Sequence, residues 1–320
     1  MLKDVKKNLI WYIALVAVIL ATAFGAMKMT ERINYEWYWG RVPQYFVFSG
    51  DEDQFADGNG EAVIEEIDMD QSKVILEYDN GEKDTLILLQ DSLMIEDGDS
   101  FSEGDKIGAI HVVRTGILIE GLITTLELSL YSGIIALIIG LFIGLARVSK
   151  NPLFRGLASI YVEVIRGTPL LVQIFIFYFF VGTVLDFSRF TAGTLALAIF
   201  AGAYVGEIIR AGIQAVDKGQ MEAARSLGMN YMEAMIHIIM PQALKRVLPP
   251  LAGQFISLIK DSSLVSVIAI TDLTKAGREV ITSTFATFEI WFTIAGMYLV
   301  LTFTLSMIIR YIERRFSVSD

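Results

Sequence analysis

The sequence predicts an all-α polytopic membrane domain with six transmembrane helices and a small extracytoplasmic β domain inserted after the first of them. Three observations lead there. Apolar residues make up 54% of the 320 and gather into long runs, lysine and arginine crowd the loops of one side, and most acidic residues sit in a single segment.

The runs cover residues 9–27, 116–146, 169–187, 191–212, 248–270 and 290–310. Each is near or above the roughly 20 residues that a helix needs to cross about 30 Å of hydrocarbon. Orientation follows from the basic residues of the short loops. With the N-terminus inside, the cytoplasmic pieces hold Lys3, Lys6, Lys7, Arg147, Lys150, Arg155, Arg166, Arg210, Lys218, Arg225, Lys245, Arg246, Arg310, Arg314 and Arg315, fifteen in all. The two short outer loops hold three, Arg189, Lys275 and Arg278. Both termini are therefore expected in the cytoplasm.

Residues 1–27 combine a basic start, an apolar run and Ala21-Thr22-Ala23, a pattern shared by an uncleaved anchor and a cleavable signal peptide. The 19-residue run favours the anchor; in either case residues 28–114 fall outside. That segment carries 21 acidic and 7 basic side chains, a balance of −14 against −10 for the whole chain, so the acidity is local. Such a charge opposes nucleic-acid binding, which wants a basic face. The chain has no cysteine and hence no disulfide.

Within 28–114, short alternating stretches are broken by Asp-Gly, Asn-Gly and Glu-Gly, which predicts strands. Ser72–Tyr78 and Thr85–Leu89 form a hairpin about Asn80-Gly81, a pair suited to a type I′ turn, and a last strand covers Ile107–Val113. The 87 residues are few for a fold without crosslinks. Asp51, Asp53, Asp57 and Glu61 hint at a calcium loop, but Ala56 stands where such a loop needs glycine, so a solvated acidic surface is the expectation. His111 and His237 are too far apart in sequence to suggest a metal cluster and read as ordinary polar residues. Tyr35, Trp37, Tyr38 and Trp39 suit a membrane interface.

The long helix from Gly116 carries Glu127 in its apolar interior. A carboxylate near a helix centre costs on the order of 2.5 to 3.5 kcal/mol, so it should face a cavity or another helix, either as a structural hydrogen-bonding group or along a substrate path. Glu207 and Arg210, three apart, are expected to pair on one face. Lys260 and Asp261 point about 100° apart on their helix. They are expected to divide between an interhelical pair and the pathway, or both to be held in interhelical bonds.

Residues 217–241 form a polar hairpin between apolar runs. Asp217 caps a short helix with Gln220 completing a capping box, and Gly228 ends that helix after Leu227. Asn230 caps a second helix with Glu233 at its third position. Pro241 is expected to stop or bend it near Met240. Read without a partner, Met221, Ala224, Met232, Met235, Ile236 and Ile239 would pack on the protein itself.

The spacing Glu222-Ala223-Ala224, three residues, Gly228, nine residues, Ile238, one residue, Met240-Pro241 resembles the EAA loop of ABC importer permeases. Met240 replaces the family's leucine, a volume-conserving change. RGTPLLVQIF (166–175), GAYVGEIIRAGIQAVDKGQ (202–220) and KDSSLVSVIAITDLT (260–274) are similar to the polar amino acid uptake branch, and the likeness covers residues 115–315. It implies a type I importer permease fold. Glu222, Ala223, Ala224, Gly228, Ile238 and Pro241 would then couple to a cytoplasmic ATP-binding subunit dimer. It further implies a second permease subunit, identical or different, and an extracytoplasmic amino-acid-binding protein. Glu127, Thr168, Gln173, Lys260, Asp261, Ser262 and Ser263 become candidates for the translocation path.

No Gly-x-x-x-x-Gly-Lys-Ser/Thr occurs, so ATP and magnesium are expected on the partner ATPase, with no cofactor in this chain and no catalytic residue. The acidic segment departs from the family's short lead and is expected to dock or gate the binding protein. An ion-coupled secondary transporter, with Glu127, Lys260 and Asp261 as coupling charges, and a non-transporting receptor are the other classes the residues allow.

Overall fold

Two periodicities divide the chain, with side chains alternating in and out over residues 47–115 and apolar helices running from 117 onward. The computed structural model describes residues 9–316 apart from 32, 34 and 69. It forms two compact units, one through Arg41 and one from Val42 on.

The first unit contains helix α1 (Leu9–Glu31). Its apolar stretch Ile13–Thr22 is shorter than a full span, and Trp11, Leu15, Val18 and Phe24 of the helix are exposed. Trp37 and Trp39 stack with ring centroids 5.6 Å apart.

In the second unit, β1 (Val47–Phe55) pairs antiparallel with β6 (Lys106–Thr115), from Val47 opposite Thr115 to Phe55 opposite Lys106. A four-stranded antiparallel sheet joins β2 (Gly60–Glu66), β3 (Gln71–Tyr78), β4 (Lys83–Leu89) and β5 (Ser100–Phe101) in the order β4-β3-β2-β5. Successive strand side chains face opposite ways, so β3 buries Ser72, Val74 and Leu76 and turns Lys73, Ile75 and Glu77 outward. Ala62, Leu88 and Ile107 close the core.

The expected type I′ turn is not formed. Gly81 has φ +85° but Asn80 does not have positive φ, and the Gly81 N–H donates to Tyr78 O at 2.9 Å. Three loop residues thus make a type I turn followed by a left-handed glycine, the alternative that a three-residue loop selects. Two of the four acids of the suspected calcium loop have other partners. Asp53 meets Lys106 at 2.7 Å, and Asp51 meets His111 Nδ1 at 2.9 Å, while Ser49 Oγ lies 3.1 Å from the other ring nitrogen.

The strands join the helices at Gly116. Its N–H donates to Phe46 O at 2.8 Å, and a Cβ there would lie 2.3 Å from Tyr45 O, a separation open to glycine alone. Helix α2 (Ile117–Val148) follows, then α3 (Pro152–Gly167) and α4 (Leu170–Leu185), which meet at a 106° bend. After them come α5 (Arg189–Gln214), α6 (Lys218–Ser226), α7 (Tyr231–Ile268), α8 (Leu273–Thr284) and α9 (Thr287–Phe316).

Among the described residues, four helices have the length and apolarity to cross a membrane (α2, α5, α7 and α9), and five if the bent α3–α4 pair is one span. Residues 152–167, expected to be loop, are an amphipathic helix opened by Asn151, whose side chain accepts from Leu153 N–H at 2.9 Å. Helix α2 approaches α5 through small residues. A Cβ on Gly140 would lie 2.3 Å from Val205 Cγ1 and 2.9 Å from the backbone nitrogen of Gly206, and Gly144 and Gly202 are similarly crowded. Such residues let backbones approach where water supplies no driving force.

Candidate functional site

The hairpin between α5 and α7 is built by local capping. Asp217 Oδ1 accepts from Gly219 N–H at 2.7 Å. At the other end of α6, Met229 N–H donates to Ala224 O at 3.1 Å and Gly228 N–H to Arg225 O at 3.0 Å, with Gly228 at φ +87°. This six-to-one and five-to-two pair is a Schellman ending, and it requires the left-handed residue. Asn230 and Glu233 then bond reciprocally, at 2.9 and 2.8 Å, in the expected capping box.

One expectation for the hairpin is corrected, and of the stop or bend expected near Met240 the stop does not occur. Gln220 does not complete a capping box with Asp217; its Oε1 accepts from Gln242 Nε2 at 3.1 Å, because the hairpin folds α6 back against the start of α7. Pro241 does not stop the helix. A π turn at Met235–Ile239 precedes it, with Met240 N–H reaching Met235 O, and the helix continues to Asp261 and a 3-10 end. The wider turn accommodates the ring and the missing donor.

One face of the hairpin packs inward. Met221, Met235, Ile238 and Met240 rest on a cluster with Val205, Ile209, Ile213 and Val247, and Ala224 and Ile239 are buried. The other face is bare. Glu222, Ala223 and Gly228 are exposed, beside Leu227 at 84%, Met232 at 61% and Ile236 at 53%. Met232 and Ile236 therefore do not pack on their own protein. Lys150 lies 5.5 Å from the centroid of the Tyr231 ring, and the Arg246 guanidinium donates to Ala215 O.

Glu207 accepts from Arg210 Nε at 3.0 Å, the expected pair, and Arg147 of α2 adds a third member at 3.4 Å. The path candidates do not converge on one pocket. Thr168 and Gln173 brace the α3–α4 bend: Gln173 Nε2 donates to Ile165 O and to Thr168 Oγ1, each at 2.7 Å. Its Oε1 is buried without a partner. Ser262 is buried and donates to Ile259 O at 2.7 Å, while Ser263 is half-buried.

Glu127 and Lys260 are exposed and Asp261 is half-buried; among the described residues none of the three has a hydrogen bond or ion pair. The expected interhelical bonds of Lys260 and Asp261 are absent there, since consecutive residues diverge around the helix and Lys260 points outward.

Asp272, which sequence reasoning passed over, is fully buried at the start of α8 and accepts from Lys275 and Thr274 N–H, both at 3.0 Å. Burial pushes its carboxyl above the usual carboxylate range, against those bonds. Asp-Leu-Thr-Lys before a helical stretch was a legible capping signal.

A polytopic helical bundle with a protruding polar hairpin defines a membrane-spanning permease subunit. The chain belongs to the family described as binding-protein-dependent transport system inner membrane component, whose model matches residues 136–318. It is 44% identical over 196 residues to a probable glutamine ABC transporter permease of Bacillus subtilis, covering 60% of this chain and 91% of the relative. It is 40% identical over 205 residues to the glutamine transport system permease of Escherichia coli K12, covering 63% and 94%. A crystal structure of an amino acid ABC transporter with histidines superposes with a TM-score of 0.59 at 47% identity, over 62% of this chain and 94% of that one. The inward-facing MetNI methionine transporter, at 20% identity and a TM-score of 0.56, shares the fold. The strands at 47–115 lie outside the family match. Membership implies partner subunits that bind ATP and a substrate-binding protein.

Proposed function

We propose that this chain is the permease of an ATP-driven importer that moves a polar amino acid, with glutamine the first cargo to test, across the cytoplasmic membrane by alternating access. The observation that carries the reading is the exposed hairpin: Glu222, Leu227, Met232 and Ile236 are all exposed on two helices joined by a capped elbow. An exposed carboxylate on a hairpin that also leaves apolar side chains bare suits a partner groove that offers a basic group. The cargo rests on the relatives named for glutamine at 40–44% identity.

In this reading residues 1–27 are a membrane anchor and the first of six spans, 28–114 an extracytoplasmic domain that engages the binding protein, and 115–315 the permease domain with its hairpin at 217–241. Both termini lie in the cytoplasm. Two permease subunits, identical or different, meet two ATPases that bind ATP and magnesium, while Glu222, Ala223, Ala224, Gly228, Ile238 and Pro241 form the seat. Glu127, Thr168, Gln173, Lys260, Asp261, Ser262 and Ser263 remain the candidates for the path.

Copurification tests the reading. Wild-type chain expressed with its ATPase should retain that subunit and accumulate labelled glutamine in vesicles on ATP addition, and Glu222→Ala should lose about tenfold in ATPase retained, the loss expected of one charged interface contact. Active wild-type transporter free of any ATPase, or uptake that follows an ion gradient and ignores ATP, overturns it.

A further inference from the structure

Pro241 supplies no N–H, and the π turn at Met235–Ile239 shifts the backbone bonds just before it, so the first turn of α7 beyond the hairpin is short of its usual donors. The side chain of Gln242 adds a donor in this stretch. Its Nε2 donates to Ile238 O at 3.0 Å and, with its second hydrogen, to Gln220 Oε1 at 3.1 Å. A primary amide has two N–H donors, and both are used here. Ile238 O can only accept, which fixes which end of the Gln242 amide faces it. The Gln220 end that meets Gln242 must then be its oxygen.

The bridge is placed where force would pass. Gln220 lies on α6, two residues before Glu222, and Gln242 lies on α7 just past the π turn and Pro241. Between them the chain runs through the glycine elbow and the first turns of α7, 22 residues along the sequence. A side-chain bridge crosses that detour directly. It links the helix that bears the exposed carboxylate to the helix that enters the membrane, beside the Arg246 contact to Ala215 O just before α6.

We propose that Gln242 is a positioning residue: through Gln220 and Ile238 it locks α6 to α7, so that movement of the hairpin by an ATPase is carried into α7 and is not lost in the elbow. The proposal rests on the coupling reading above. It concerns the efficiency of coupling: neither Gln220 nor Gln242 is among the residues assigned to the ATPase seat, and the exposed Glu222 lies two residues past Gln220 on α6.

The test uses the ATPase–permease complex in vesicles, with external binding protein and labelled glutamine, and reads glutamine moved per ATP hydrolysed. Gln242→Ala and, independently, Gln220→Ala on the exposed helix should leave ATPase retention at the wild-type level and lower that ratio about fivefold or more, the lower range of measured coupling effects. Gln220→Glu combined with Gln242→Lys rebuilds the bridge as an ion pair and should restore the ratio. If Gln242→Ala does not assemble, Gln220→Ala carries the same decision alone. A wild-type ratio in Gln220→Ala, or a double variant no better than the single ones, overturns the bridge. Wild-type chain that binds no ATPase overturns the coupling reading and this proposal with it, so the two failures are distinct.

Discussion

Between residues 47 and 115 the side chains of Ala62, Val74, Leu76, Leu88 and Ile107 are wholly withdrawn from the surface, and Glu61 and Glu65 stand outside. Past residue 117 the pattern reverses. Phe142, Phe179 and Leu299 are about two-thirds exposed, and Thr125, Ser129 and Ser132 are buried. These three hydroxyls are bonded: Thr125 Oγ1 donates to Gly121 O at 3.0 Å and accepts from Leu273 N–H at 3.1 Å, Ser129 Oγ donates to Thr125 O at 2.7 Å, and Ser132 Oγ donates to Thr194 O at 3.1 Å. Both regions bury an apolar core, but the helical one also exposes long stretches of large apolar side chains and buries bonded hydroxyls between its helices. The contrast indicates two solvents for one chain, water for the strands and hydrocarbon for the helices.

The largest effect that could break this comparison is a core truncation among the strands. Leu76→Ala should cost about 2–5 kcal/mol, the range for emptying a packed core site. Limited proteolysis should open residues 47–115 while the helical fragment survives, and delivery from the binding protein should fall with it. Helices cut at the same rate would show that the two regions fold as one. In the helical region the matching insult is overfilling. Gly140→Leu would drive a side chain into Val205 and the backbone of Gly206, at a cost of about 3 kcal/mol. The folded fraction on gel filtration in detergent should drop sharply; an unchanged profile would mean that α2 and α5 are not pressed together.

The smallest effect lies at Asp272. Asp272→Ala removes the cap of α8 and should lower stability by about 1 kcal/mol, whereas Asp272→Asn keeps an accepting oxygen and should spare most of it. The two carboxyl states add a pH dependence. Because the folded carboxyl titrates above its unfolded value, its stabilising contribution is complete below the unfolded value and is lost as pH rises through the folded one. Thermal midpoints of wild type should therefore fall relative to Asp272→Asn across that window; parallel curves would remove the burial argument.

Much of the hairpin was legible because its signals are local. Asn230 and Glu233 are three residues apart, and Gly228 answers a backbone demand at its own position, so a short stretch of sequence contains the whole cause. Gln220 was misread for the same reason. Its local partner, Asp217, is a reasonable capping mate, and nothing nearby shows that Gln242 will fold back to compete. Asn80-Gly81 marked the turn but not its type, since the bond from Tyr78 N–H to Glu82 O leaves a loop of three residues, Asp79, Asn80 and Gly81. The amphipathic α3 was hidden by its own polarity: Arg155, Glu163 and Arg166 interrupt the apolar run that a span search follows.

What the sequence determined by itself is the long apolar helices, the hairpin strands about Gly81 and the strand at 107–113, the confinement of acidity to one segment, and the capped elbow at Gly228, because each depends on periodicity or on residues within a turn of one another. Tertiary structure alone decided that β1 finds β6 across more than fifty residues, that Glu207 gathers Arg147 as well as Arg210, that Glu127 and Lys260 are left exposed, and that Gln242 bridges to Gln220. Those outcomes depend on which surfaces meet once the whole chain is packed, and no short window of sequence carries that information.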